Sequence, residues 1–151
     1  MIKTQTKTFK LDLNKLLAKA GENAGAVARK VALETYSKIV QKSPVDTGRL
    51  RGNWNVGINN EDLTEQPADN GKFGSVPSPA KALSALSEFK LGDRILITNN
   101  LPYVHKLEYG LYGEGEKTVN GFSRQAPHGF VRITYKEISS NLENIGRKAV
   151  K

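Results

Sequence analysis

No cysteine occurs in the 151 residues. That absence excludes a disulfide framework, thiolate zinc sites and cysteine nucleophiles together, and it fits folding in a reducing cytoplasm. Long apolar runs are missing too, since none approaches the ~20 residues needed to span a bilayer. The opening MIKTQTKTFKLDL carries positive charge with no apolar block behind it, so it does not read as a secretory signal. Aromatic residues make up 7% and hydrophobic residues 38%, enough for one lean core. A chain near this length buries roughly 70% of the surface it exposes when unfolded, so its long polar stretches belong outside that core.

What is present is positive charge, unevenly placed. The net charge is +8. Residues 1–51 carry eleven Lys/Arg against four Asp/Glu, residues 52–128 seven against nine, and residues 129–151 five against two. Basic ends flank a slightly acidic middle. Such asymmetry fits nucleic-acid contact, solvated helix faces, or identical subunits meeting acidic surface to basic surface.

Hydrophobic spacing predicts a single α+β domain over residues 1–151, with a small antiparallel sheet packed by N-terminal and C-terminal helices and two long flexible loops. Residues 1–11 read as a flexible arm. From Asp12, a suitable N-cap, apolar residues recur at three- and four-residue steps through Leu13, Leu16, Leu17, Ala20, Ala24, Val27, Val31 and Ile39. Gly21 and Gly25 weaken that pattern and allow a break into two helices. The segment ends at Ser43, because a residue before proline avoids helical backbone. Residues 52–59 alternate Trp54, Val56 and Ile58 with Asn53, Asn55 and Gly57, as a half-buried strand with one apolar face does. Residues 60–78 are polar and read as a mobile loop.

Ser78-Pro79 opens a helix whose expected apolar face is Leu83, Leu86 and Phe89, with Gly92 as its stop. Residues 94–99 form a second strand with Ile95 and Ile97 on one face, and residues 103–109 one or two helical turns. The glycines at 110, 113, 115 and 121 mark 110–126 as a second mobile loop. In the last segment, the strand-like alternation of Val131, Ile133 and Tyr135 competes with a longer helical match through Phe130, Ile138, Leu142, Ile145 and Ala149, and the longer match wins.

Catalytic chemistry finds little footing. His105 and His128 are the only imidazoles. His105 stands one helical turn from Glu108, but a third metal ligand at suitable spacing is missing. Ser78-Pro79-Ala80-Lys81 matches a bare Ser-x-x-Lys spacing, which a helix start and a surface lysine explain better. Asp46 and Glu108 could be paired as acid and base, yet each has a nearer structural task. Neither catalytic, cofactor-binding nor metal-binding residues are expected. Nucleic-acid binding is the alternative: Lys15, Lys19, Arg29, Lys30, Lys38 and Lys42 are basic, but they spread around the helix with Tyr36 as the lone aromatic, so solvated faces fit better.

The specific signal lies in residues 43–54, Ser-Pro-Val-Asp-Thr-Gly-Arg-Leu-Arg-Gly-Asn-Trp. Asp46 can accept backbone N–H groups from a turn that Gly48 permits, or cap a helical turn starting at Thr47. Arg49 or Arg51 is expected to meet Glu108 or Asp46, within or between subunits, since an arginine fork suits a carboxylate. The segment resembles the opening motif of the phage neck and tail-completion family, the minor-tail-protein-Z-like proteins of long-tailed phages. Three further blocks follow in order: Ile97-Thr98-Asn99-Asn100-Leu101-Pro102-Tyr103 at the end of a strand, Leu107-Glu108-Tyr109-Gly110, and Ser123-Arg124-Gln125-Ala126-Pro127-His128-Gly129 before the last helix.

The resemblance implies a structural virion protein with no cofactor and no catalysis. It implies assembly in the host cytoplasm as a homo-oligomeric ring, a hexamer in expectation, between the head-tail connector or stopper protein and the tail tube protein. DNA would only pass through the lumen, and no membrane would be involved. Trp54, Tyr103 and Tyr109 are expected to anchor packing, while Asp46, Arg49, Arg51 and Glu108 order the region of the turn and sheet.

Overall fold

The computed structural model describes residues 9–45, 49–65 and 79–149, which form a mixed α+β fold. The first helix, α1 (Asn14–Ala20), starts two residues after Asp12, whose Oδ1 accepts the Asn14 N–H at 3.0 Å. Gly21 takes a left-handed backbone, φ +55°, and a 3-10 turn over Gly21–Asn23 leads into α2 (Ala24–Lys42). The expected break therefore falls at Gly21, while Gly25 lies inside α2. Before Pro44, Ser43 swings to ψ 134° and α2 ends.

Residues 49–52 form one helical turn, α3 (Arg49–Gly52), where the sequence left a tight turn and a helical turn open, and β1, expected over residues 52–59, is confined to Asn55–Ile58. Across from it runs β2 (Ile95–Thr98), antiparallel, with Val56 opposite Ile97 and Ile58 opposite Ile95. The helix before β2, α4 (Ala80–Leu86), packs on β1. It ends well before Gly92, and its buried residues are Ala82 and Leu86, with Phe89 beyond its end. Leu83 is 49% exposed, so it does not belong to the buried face.

The one-faced strand also needs correcting. Asn53 and Asn55 are as buried as Trp54 and Val56. Chain 60–65 folds back over the asparagine side, where Asn55 Nδ2 donates to the Asp62 and Thr64 carbonyls at 3.1 and 2.8 Å. Two asparagines look polar in a one-dimensional pattern, yet their amides bond backbone groups and so tolerate burial.

After α5 (Val104–Tyr109), the segment expected as the second loop carries a short hairpin, β3 (Thr118–Val119) and β4 (Phe122–Ser123), antiparallel. Asn120 and Gly121 sit at its turn with φ +53° and +84°, the left-handed pair that a two-residue hairpin loop requires. The last helix, α6 (Val131–Ala149), settles the competition in favour of the helical pattern.

Helices α2 and α6 form the main packing contact, antiparallel. Lys38 and Lys42 of α2 meet Glu137 near the start of α6, whereas Ala26 and Lys30 lie by Lys148 and Ala149 at its end. Two cores share these helices. One joins Tyr36, Ile39, Val40, Leu50, Trp54, Val56, Leu86, Leu101 and Phe130 around the β1–β2 sheet. The other joins Val27, Val31, Ile138 and Ile145 beneath α1. Phe130 and Ile138 are fully buried, each contributing about 1.5–3 kcal/mol. Leu16 of α1 seats on Gly146, where a Cβ would stand 2.7 Å from Leu16 Cδ1.

Candidate functional site

The sequence blocks singled out above converge on the joint between the end of α2, the start of α6 and the sheet. Ser43 is the first hub. Its Oγ donates to the Ile39 carbonyl at 2.7 Å and accepts the Trp54 indole N–H at 2.8 Å. Trp54 is buried and meets the Phe130 ring edge-on, centroids 6.2 Å apart. Arg51 donates from Nε to the Ser43 carbonyl and from Nη2 to the Gln41 carbonyl, so it closes the C-terminal end of α2. Burial lowers its pKa from the ordinary arginine value.

Gln125 ties the first block to the last. Its Oε1 accepts the Val45 N–H at 2.8 Å and its Nε2 donates to the Val45 carbonyl at 2.6 Å. Asn99 ties in the second block: its Nδ2 donates to the Leu50 carbonyl at 2.9 Å, and its Oδ1 accepts the Leu101 N–H at 3.2 Å. Asn100 donates to Glu65, whose other oxygen lies 3.8 Å from Arg49. Asp62 is held below the ordinary carboxylate range by hydrogen bonds from Thr64, which fixes this return of the chain.

Glu108 is the second hub. It is 3% exposed and lies against the N-terminus of α6. Its Oε2 accepts the N–H groups of Phe130 and Val131 at 2.8 Å each, and its Oε1 accepts the Arg132 N–H and Nε at 2.9 Å each. A helix start presents unpaired N–H donors and partial positive charge, and a carboxylate from a distant residue meets both. Gly129 makes the approach possible: a Cβ there would stand 2.8 Å from the Glu108 carbonyl oxygen and 3.0 Å from each carboxylate oxygen. Arg132 also lies over the Tyr109 ring, 4.4 Å from its centroid.

Glu108 takes Arg132 as its partner, a residue that sequence reasoning passed over; the other expected pairing, of Arg49 or Arg51 with Asp46, lies outside the described residues. The reason is geometric. Glu108 sits at the opening of α6, while Arg51 is drawn to the carbonyls at the end of α2. Asp46, Thr47 and Gly48 lie outside the described residues. Tyr103 packs against the sheet core, and Pro127 forms a backbone bridge with Gly129. Gln125 and Gly129 were visible only as parts of a motif; the Arg132 signal would have been an arginine in the first turn of a helix preceded by Pro-His-Gly.

With both carboxylate oxygens of Glu108 taken by N–H donors, the His105–Glu108 spacing offers no free carboxylate for a metal. The His105 ring lies tilted against Tyr109, centroids 4.8 Å apart. Among the described residues no cluster of His, Asp and Glu could hold a metal ion, and no helix is long and apolar enough to cross a membrane.

The basic residues of the N-terminal half are mostly occupied within the chain. Lys19 pairs with Glu143, Lys30 with Glu34, and Lys38 and Lys42 with Glu137. Arg29 donates to the Leu86 and Phe89 carbonyls, stitching α2 to the end of α4.

Comparison with known proteins returned no match among curated proteins and none among solved structures. One family model does match, described as "Bacteriophage HK97-gp10, putative tail-component", over residues 7–110. That span includes three of the four motif blocks and ends at the glycine that follows Glu108 and Tyr109. The chain belongs to the HK97-gp10-like family of bacteriophage tail components.

Proposed function

We propose that the protein completes the tail end and joins it to the head connector, assembling as a homo-oligomeric ring at the neck of the particle. Family membership makes it a structural tail component of the virion, in contact with other head or tail proteins. The observation that carries the finer reading is the convergence of the motif blocks on one hydrogen-bonded joint. Ser43, Arg51, Asn99, Glu108 and Gln125 hold backbone in place, Trp54 holds the Ser43 hydroxyl, and none presents a reactive group to a cleft. Such a joint suits a rigid body that bears load between neighbours.

A ring of identical copies needs contacts that close by rotation, and the uneven charge along the chain supplies complementary surfaces. A hexamer between connector and tail tube is the form adopted here. Residues 60–78 and 110–126 serve as the parts that meet those neighbours. DNA passes through the lumen without being gripped, so the basic helices face outward.

Deleting the gene from the phage tests this reading. Full heads and separate tails should accumulate, and electron microscopy of complete particles should show a collar of this chain at the neck. Mature, infectious particles that lack the chain would overturn it.

A further inference from the structure

We infer that residues 111–116 of one copy seat in the groove between α2, α4 and the end of α6 of the next copy, so that the ring closes head to tail. The inference rests on the ring proposed above and names the two surfaces that would form it.

The donor surface is the loop after α5. Leu111 is 58% exposed and Tyr112 37%, an apolar pair at an exposed turn. Residues 110–116 contain Glu114 and Glu116 and no basic residue. The loop is tied to the body by hydrogen bonds. Leu111 N–H donates to the Lys106 carbonyl, Tyr112 N–H to the Gly121 carbonyl, Thr118 Oγ1 to the Gly113 carbonyl, and Arg124 Nε to the Glu116 carbonyl. Gly110 and Gly121 allow this closeness: a Cβ on Gly110 would stand 2.4 Å from the Phe122 ring. Two apolar side chains and two carboxylates are thereby presented from an anchored backbone, which lowers the cost of ordering them on binding.

The acceptor surface lies at the far end of the molecule. Its floor and walls include Leu33, Leu83 and Leu86, and its basic rim is Arg29, Lys30 and Lys148, with no acidic residue lining it. Leu83 is half exposed there, an apolar side chain on a seven-residue helix whose buried residues are Ala82 and Leu86. Lys30 shares the Glu34 carboxylate, and Arg29 is committed to two carbonyls, so Lys148 is the freest of the three cations.

The positions of the two surfaces supply the direction. The loop follows α5, whose Glu108 closes the start of α6, and the groove includes Lys148 and Ala149 at the other end of α6. Nineteen helical residues separate them by about 28 Å. Two unlike, complementary patches at opposite ends of one body generate a repeating contact, and a rotation that closes makes a ring.

Charge exchange tests the pairing in particles assembled by host cells. Glu114→Lys with Glu116→Lys, and separately Lys30→Glu with Lys148→Glu, should each lower the yield of joined particles at least about tenfold, since like charges then face each other. Co-expression of the two double variants should restore joining, because each loop then finds a groove of opposite sign. Failure of the mixture to recover, with both proteins keeping the wild-type urea midpoint, overturns the inference.

The absence of native cysteine permits a second, direct test. A chain carrying Leu111→Cys and Leu83→Cys, treated in particles with a short bis-maleimide, should give a ladder of oligomers. Dimers alone would overturn the head-to-tail contact. A collar of this chain without a ladder sinks the inference and leaves the ring standing; absence of the chain from particles sinks both.

Discussion

The Glu108 carboxylate closes a helix that begins 23 residues further along the chain, at Val131. A cap supplied from such a distance couples α5 to α6, so losing it removes a tertiary tie as well as a helix cap.

Replacing Glu108 by Ala should therefore cost about 2–4 kcal/mol, more than a surface N-cap, because a buried site loses its acceptor for three backbone donors. Arg132→Ala should cost less, about 1 kcal/mol, since the backbone donors keep their carboxylate. Urea titration of both variants checks the order; an equal loss in the two would show that the ion pair, not the cap, carries the energy.

Trp54 should behave as a packing anchor. Trp54→Ala is expected to lose roughly 3–5 kcal/mol. Ser43→Ala should lose about 1–3 kcal/mol by leaving the indole N–H without its acceptor. As Trp54 is the sole tryptophan, its own fluorescence reports the unfolding of the serine variant. A loss below ~0.5 kcal/mol in Trp54→Ala would contradict the burial described.

Glycine positions separate strain from space. Gly129→Ala meets φ +85° and the Glu108 carboxylate together, and should cost more than about 2 kcal/mol. At Gly113 a Cβ meets nothing within 4 Å, so Gly113→Ala should stay within about 0.5 kcal/mol. Thermal melts of the two variants provide the comparison.

Acid should weaken the α2–α6 contact through Glu137. A hydrogen bond from Lys42 comes first and one from Lys38 adds to it, and together they hold the carboxyl below the ordinary glutamate value, against a smaller opposing effect of burial. Its folded pKa lies below the unfolded one, so its stabilising contribution is complete above the ordinary range near about 4.3 and disappears as pH falls through the folded value. Glu137→Gln should thus be less stable than wild type at pH 7 and equal to it at the acid end. A gap between the two that stays constant with pH would refute the assignment.

Duplex DNA should bind weakly and without site preference, because Lys19, Lys30, Lys38 and Lys42 are already paired within the chain. Electrophoretic titration at moderate salt should find no micromolar complex. Tight, steeply salt-dependent binding would restore the nucleic-acid alternative.

The helices and both sheet strands were legible because apolar spacing and proline placement report directly on backbone. Trp54, Val56 and Ile58 marked their strand for that reason. The burial of Asn53 and Asn55 was not legible: Asn55 is covered by the return of residues 60–65, which no local pattern encodes, and Asn53 bonds back to the Arg49 carbonyl. The hairpin at 118–123 could have been found, since Asn120-Gly121 between Val119 and Phe122 is a strong turn signal that the surrounding glycines obscured. Glu108 was marked by its motif, but Arg132 was not marked as its partner. Spacing along the chain does not say which of several arginines lies at a helix start.

The contact between Leu16 and Gly146 gives the N-terminal helix an individual point of attachment. A methyl at position 146 would meet the tip of the Leu16 side chain, which would have to turn aside to admit it. Such a turn of Leu16 would loosen the α1–α6 contact while leaving the tryptophan-centred core intact, and amide exchange would then quicken first over residues 14–20.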